Sequence, residues 1–169
     1  MARIQRLTPA HAPVYRALML EAYALHPDAF TSSVDERAGL PLAWWQARLD
    51  DAADARELVF GAFDGGQLVG VAGLAFETRD KARHKATLFG MYVPQGQRRH
   101  GYGRELLHAV LACAAARPGL KLVQLTVTEG NRAALELYRR CGFVEFGLEP
   151  YAVALGDAYV AKVHMWRAH

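Results

Sequence analysis

Residues 86–107 read ATLFGMYVPQGQRRHGYGRELL, and residues 120–143 read LKLVQLTVTEGNRAALELYRRCGF. Ala86 to Val93 is apolar and stops at Pro94, so it is predicted to be a strand. Leu106, Leu107, Val110 and Leu111 then recur at helical spacing, and Arg117-Pro118-Gly119 ends that helix. Leu120 to Val127 reads as a further strand. Asn131 to Cys141 reads as a second helix, closed by Gly142 where left-handed backbone is needed. A strand–helix–strand–helix series with a right-handed crossover brings both helix N-termini towards one edge of the sheet.

Outward from this centre the remaining elements fall into order. Arg3 to Leu7 alternates polar and apolar residues and reads as a strand. Thr8-Pro9 opens a helix with Thr8 as N-cap, turning Val14, Leu18 and Tyr23 inward and ending before Pro27. His26 to Ala38 is polar and irregular and is expected to be a loop beside a site. Pro41 to Leu49 is a second helix with Trp44, Trp45 and Leu49 as its apolar stripe. Leu58 to Phe63 and Leu68 to Phe76 are paired strands across the Asp64-Gly65-Gly66 turn. Glu77 to Lys85 is a charged loop, and Phe143 to Phe146 and Tyr159 to Trp166 are the last strands. The order β-α-α-β-β-β-α-β-α-β-β, with no linker, predicts one mixed α/β domain over residues 1–169.

Composition bounds the function. The 169 residues are 52% hydrophobic and 22% charged, which excludes a disordered chain. Twenty Lys and Arg against 17 Asp and Glu leave a net charge of +3. That surplus is too small for a polybasic nucleic-acid binder, so no nucleic-acid partner is expected, but it permits a local site for a phosphorylated ligand. Two cysteines, Cys113 and Cys141, support neither a disulfide framework nor a four-cysteine zinc site, and no metal is expected. No apolar run reaches the roughly 18 residues of a membrane helix, and Met1 to Leu7 has no signal-like apolar core. A cytoplasmic protein without a membrane partner is the expectation.

Arg98-Arg99-His100-Gly101-Tyr102-Gly103-Arg104 lies between a strand and a helix. A helix N-terminus exposes unpaired N–H groups and partial positive charge, glycines permit close backbone approach, and three arginines add formal charge. Together they suit a diphosphate. No G-x-x-x-x-G-K-[ST] run occurs, and the third glycine of a dinucleotide fingerprint would fall at Leu106, so neither of those phosphate motifs applies. The competing reading is an ordinary turn with solvated arginines. Asn131, Ala134 and Tyr138 share one helical face, seven residues end to end. Here the competing reading is an N-cap at Asn131 and a packed phenol at Tyr138.

Met91-Tyr92-Val93, followed by R-x-x-G-x-G (Arg98, Gly101, Gly103) and N-x-x-A-x-x-x-Y-x-x-x-G-F (Asn131, Ala134, Tyr138, Gly142, Phe143), resembles the GNAT acyltransferase superfamily. The resemblance implies a twisted, mostly antiparallel sheet flanked by helices, with acetyl-CoA as donor and no metal. It implies that residues 98–104 hold the pyrophosphate through backbone N–H groups, and that Met91 and Val93 pair with the pantetheine arm like an added strand. Asn131 would contact that arm, and Tyr138 would protonate the departing thiolate. Transfer would be direct, with no role for either cysteine as a nucleophile.

The acceptor is expected to be a primary amine, of a small molecule in the first instance. A protein N-terminus or lysine, or a non-catalytic acyl-CoA-binding module, are the alternatives. Candidates for the base are Glu77, His84 and, less directly, His100, against the simpler reading of solvated loop charges in ETRDKARHK. Phe30, Trp44, Trp45 and Tyr151 are candidates to border the acceptor, and YVAKVHMW (159–166) is a candidate edge for a homodimer.

Overall fold

The computed structural model describes residues 2–169. Its elements are β1 (Arg3–Arg6), α1 (Ala12–Leu25), α2 (Val34–Ala38), α3 (Leu42–Arg48), β2 (Glu57–Asp64), β3 (Gln67–Phe76), β4 (Lys85–Tyr92), α4 (Tyr102–Ala116), β5 (Leu122–Thr128), α5 (Arg132–Arg140), β6 (Val144–Leu155) and β7 (Ala158–Ala168). Seven strands form one sheet in the order β1-β2-β3-β4-β5-β7-β6. Every neighbouring pair is antiparallel except β4–β5. The mixed, mostly antiparallel sheet and its flanking helices match the predicted class.

Both faces of the sheet are covered, which is why β3 is apolar almost without alternation. On one face Leu106, Leu107, Val110 and Leu111 of α4 pack with Leu74, Leu88, Val123 and Leu125. On the other, Tyr15 and Met19 of α1 and Trp45 and Leu49 of α3 pack with Leu7, Val59 and Val71. The inward stripe of α1 is Ala12, Tyr15, Met19, Ala22 and Tyr23, so Val14, expected inside, is 48% exposed. At about 100° per residue, Val14 cannot share a face with both Tyr15 and Met19.

Three further expectations are corrected. The segment 26–38 is not wholly loop, because Ser33 and Glu36 cap each other reciprocally and start the short α2. The sixth strand does not end at Phe146 but runs on to Leu155 through register shifts between Glu145 and Gly147 and between Glu149 and Val153. As the sheet's edge, β6 tolerates Pro150, which has no N–H to pair. The segment 159–166 is not an edge, since β7 is paired on both sides by β5 and β6 and offers no free strand to a second chain.

The site depends on a parting of two strands. β4 pairs with β5 only from Lys85–Leu122 to Thr87–Gln124. Beyond Thr87, β4 carries an irregularity against β3 between the Val71 and Gly73 positions, and Gly90 adopts a left-handed φ of 57°. Such a bulge bends its strand and adds twist. The backbone groups of β4 on the β5 side therefore have no strand partner past Thr87.

Candidate active site

The parting of β4 and β5 opens into two adjoining cavities. One, of about 700 Å³, is lined by Met91, Tyr92 and Val93, by residues of the Arg98–Arg104 turn, and by Asn131, Ala134 and Tyr138. The other, of about 450 Å³, is lined by Thr87 to Met91, Thr126 to Thr128, Asn131, Ala134 and Tyr138, with Arg37, Arg48, Glu57 and Lys162 around it. Ala29, Phe30, Met91, Asn131, Ala134 and Tyr138 border both. Tyr138 and Met91 thus stand at the junction of the two cavities.

The turn carries unpaired backbone donors and three arginines. Arg98 Nε donates to the Val93 carbonyl at 3.0 Å and anchors the turn to the end of β4. Arg99 and Gly101 hold left-handed φ angles of 69° and 80°. For Arg99, the one of the two with a Cβ, that conformation costs on the order of 1–2 kcal/mol. Glu105 N–H donates to the Gly101 carbonyl, while the N–H groups of Tyr102, Gly103 and Arg104 have no acceptor among the described residues. A Cβ at Gly101 would meet nothing within 4 Å, so the glycine serves the backbone angle and leaves open space beside it.

The side chains within the turn divide by role. Arg98, Arg99 and Arg104 line the larger cavity. The Tyr102 ring is buried and its hydroxyl donates to Asp64 Oδ2 at 2.8 Å, so this residue belongs to the core and can offer a ligand only its backbone. His100 stacks on Tyr102 at 5.3 Å, with its Nδ1 3.1 Å from the Gln97 carbonyl, and does not line either cavity. Tyr92 likewise spends its hydroxyl on Glu21 Oε2 at 2.9 Å, and burial with that carboxylate raises its phenol to about 12.

Asn131 caps α5, its Oδ1 accepting from Ala134 N–H at 3.3 Å. Two turns on, α5 presents Tyr138, which is buried against Phe143. Desolvation pushes its phenol far above the usual value, so it stays protonated. The hydroxyl donates to Met91 Sδ at 3.6 Å. Thioether sulfur is a weak acceptor, so a better one entering the junction can take this donor without breaking a strong bond.

Residues 19–143 match the acetyltransferase (GNAT) family. The chain belongs to the GNAT acetyltransferase family. It is an acetyl-CoA-dependent acyltransferase. Solved GNAT structures share the fold. An acetyltransferase of the family from Streptococcus pneumoniae is 24% identical over 100% of both chains, with a TM-score of 0.89. The ribosomal-protein-alanine N-acetyltransferase of Brucella melitensis is 23% identical over 99% of each chain, at 0.80. The yncA protein of Salmonella typhimurium, solved with acetyl-CoA, is 21% identical over 99% of this chain and 94% of that one, also at 0.80.

Within this GNAT fold the expected base residues lie apart from the junction. Glu77 follows the end of β3, its N–H donating to the Lys85 carbonyl and its carboxylate 3.6 Å from Arg79. The His84 carbonyl receives the N–H groups of Lys121 and Leu122. Both sit where β4 is still joined to β5, and neither lines a cavity. Glu57, which sequence reading did not single out, is the carboxylate lining the smaller cavity, 3.4 Å from Arg48 Nε. Its only sequence signal was its place at the start of β2, and register alone decides that the start of β2 faces Ala75 and Thr87. Phe30 lines both cavities, whereas Trp45 is fully buried in the core and Trp44 stands outside the lining, between the guanidinium groups of Arg37 and Arg48. Tyr151 is 76% exposed on β6 and borders neither cavity.

Proposed function

We propose that the protein moves the acetyl group of acetyl-CoA directly to a primary amine of a small molecule. The observation that carries this reading is the meeting of two cavities at Tyr138 and Met91. The larger cavity suits the donor: free N–H groups of the Tyr102–Arg104 turn, with Arg98, Arg99 and Arg104, would bind its pyrophosphate. The backbone of Met91 and Val93, which has no partner strand on the β5 side, would take the pantetheine arm as a strand takes its neighbour, the Val93 carbonyl being shared with Arg98. Asn131, having used Oδ1 as a cap, keeps its side-chain NH₂ for the same arm.

The smaller cavity suits the acceptor. Its volume of about 450 Å³ is that of a small-molecule site. Glu57 is the carboxylate available there to receive the amine's proton, directly or through one water, in place of Glu77 and His84. Tyr138 holds its proton at the junction. A thiol titrates near 8.5, well below this buried phenol, so Tyr138 acts chiefly by donating a hydrogen bond to the departing sulfur while it remains neutral. Cys113 and Cys141 are half-buried, with thiols pushed up by burial, and neither lines a cavity.

The test is thiol release from acetyl-CoA across a panel of small amines, amino acids and peptides. Turnover is expected on small amines. Turnover on peptides alone would transfer the function to protein N-termini or lysines. Tight acetyl-CoA binding without turnover on any acceptor would leave a binding module.

A further inference from the structure

The smaller cavity contains more hydrogen-bond donors than acceptors at one end. Arg37, from α2, reaches Ser32 Oγ with Nη2 at 2.8 Å. Lys162, from β7, reaches Thr31 Oγ1 with Nζ at 3.3 Å. Two cations from distant parts of the chain therefore converge on adjacent hydroxyls, and all four side chains line the cavity. Each hydroxyl accepts from a cation, and neither hydroxyl hydrogen has an acceptor among the described residues. Arg37 and Lys162 form no ion pair among the described residues either.

Neither nearby carboxylate forms an ion pair with Arg37 or Lys162. Glu57 is paired with Arg48. Glu149, whose charge favours the protonated form of Lys162, lies 2.8 Å from His164 Nε2. Burial outweighs that charge and lowers the Lys162 ammonium, as expected of a desolvated cation without a close counter-ion. The guanidinium of Arg37 lies 4.5 Å from the Trp44 ring centroid and 6.0 Å from that of Tyr23, so aromatic packing helps hold the group. A positioned guanidinium suits the two oxygens of a carboxylate or a phosphate.

We infer that Arg37, Lys162, Thr31 and Ser32 form an anion subsite, and that the acceptor amine carries a carboxylate or phosphate group that binds there. This rests on the reading of the smaller cavity as the acceptor site. The anionic end would lie among the four donors while the amine faces the junction at Tyr138. Arg37 and Lys162 are thereby specificity-determining residues, with no part in the bond making.

The experiment compares acceptors that share one amine skeleton and end in a carboxylate, a phosphate monoester or a neutral carboxamide. For the wild type, kcat/KM is expected to favour one of the anionic acceptors over the carboxamide by tenfold or more, and the better of the two names the group. Arg37→Gln and Lys162→Met should each cut that ratio at least threefold, mainly through KM. Equal or higher kcat/KM for the carboxamide would overturn the subsite while leaving acetyl transfer intact. If no acceptor turns over, the proposed function fails instead, and calorimetry with the same three compounds decides the subsite independently. Binding of an anionic compound that Arg37→Gln abolishes would uphold it, and absence of anion-dependent binding would overturn it. Circular dichroism of both variants identifies any loss that comes from misfolding.

Discussion

Tyr138 was legible in the sequence because its chemistry and its helical position are both local properties. Its pairing with Met91 Sδ was not, since Met91 lies on β4 and Tyr138 on α5. Tyr138→Phe removes one hydroxyl from a buried ring and keeps its packing against Phe143. The kcat for thiol release should fall by about 10²-fold or more, as for a lost hydrogen-bond donor to developing charge, while the dissociation constant of acetyl-CoA stays within about twofold. Stopped-flow thiol detection and calorimetry measure the two. An unchanged kcat would remove Tyr138 from the chemistry. Glu57→Gln should lower kcat for the amine by about 10²-fold, as for a lost general base, with the dissociation constant of acetyl-CoA unchanged. An unchanged kcat would assign the base elsewhere. Glu57 escaped notice because a lone carboxylate at a strand start carries no signal until the register of β2, β3 and β4 is known.

Local rules identified most elements. The Gly101 turn, the Asn131 cap and the Gly142 stop were read from residue type alone, and each occupies the conformation its residue favours. The misread segments had mixed signals. Ser33 and Glu36 form a capping box around a helix of only five residues, too short for an apolar stripe to announce it. Gly147, Pro150 and the left-handed Tyr151 suggest loop, yet they lie in an edge strand that absorbs irregularity in its register. Asn131→Ala separates the two duties argued for Asn131. Loss of the cap should cost about 1 kcal/mol in urea denaturation, and Asn131→Asp should restore that stability. Asn131→Asp would restore acetyl-CoA affinity as well only if the cap is the sole duty, so a persistent affinity loss in this variant supports contact with the donor.

The molecule as a whole buries phenols on both sides of the sheet, Tyr15 beneath α3 and Tyr138 beside β4. Desolvation raises Tyr15 to about 12, with Arg48 beside it pulling weakly the other way. In the unfolded chain this phenol titrates near 10. The folded state thus binds the proton more tightly, and the stability this gives is complete below pH 10 and is lost as pH rises from 10 through 12. The loss should reach roughly 2–3 kcal/mol for Tyr15, and Tyr15→Phe should flatten the alkaline fall in denaturation midpoint. An equally steep fall in that variant would assign alkaline unfolding to other groups.

From the sequence alone follow the mixed α/β class, the element order through α5 apart from the short α2, the glycine-rich turn at Arg98–Arg104 and the place of Tyr138 on the same helical face as Asn131. These rest on spacing, capping and backbone preference, which act over a few residues. The opening between β4 and β5, the junction at Tyr138 and Met91, the placement of Glu57 in the smaller cavity and the convergence of Arg37 and Lys162 on Thr31 and Ser32 were decided by tertiary structure. Strand register and a single bulge set those contacts. They bring together groups as far as 131 positions apart in the chain, a separation over which no sequence period carries information.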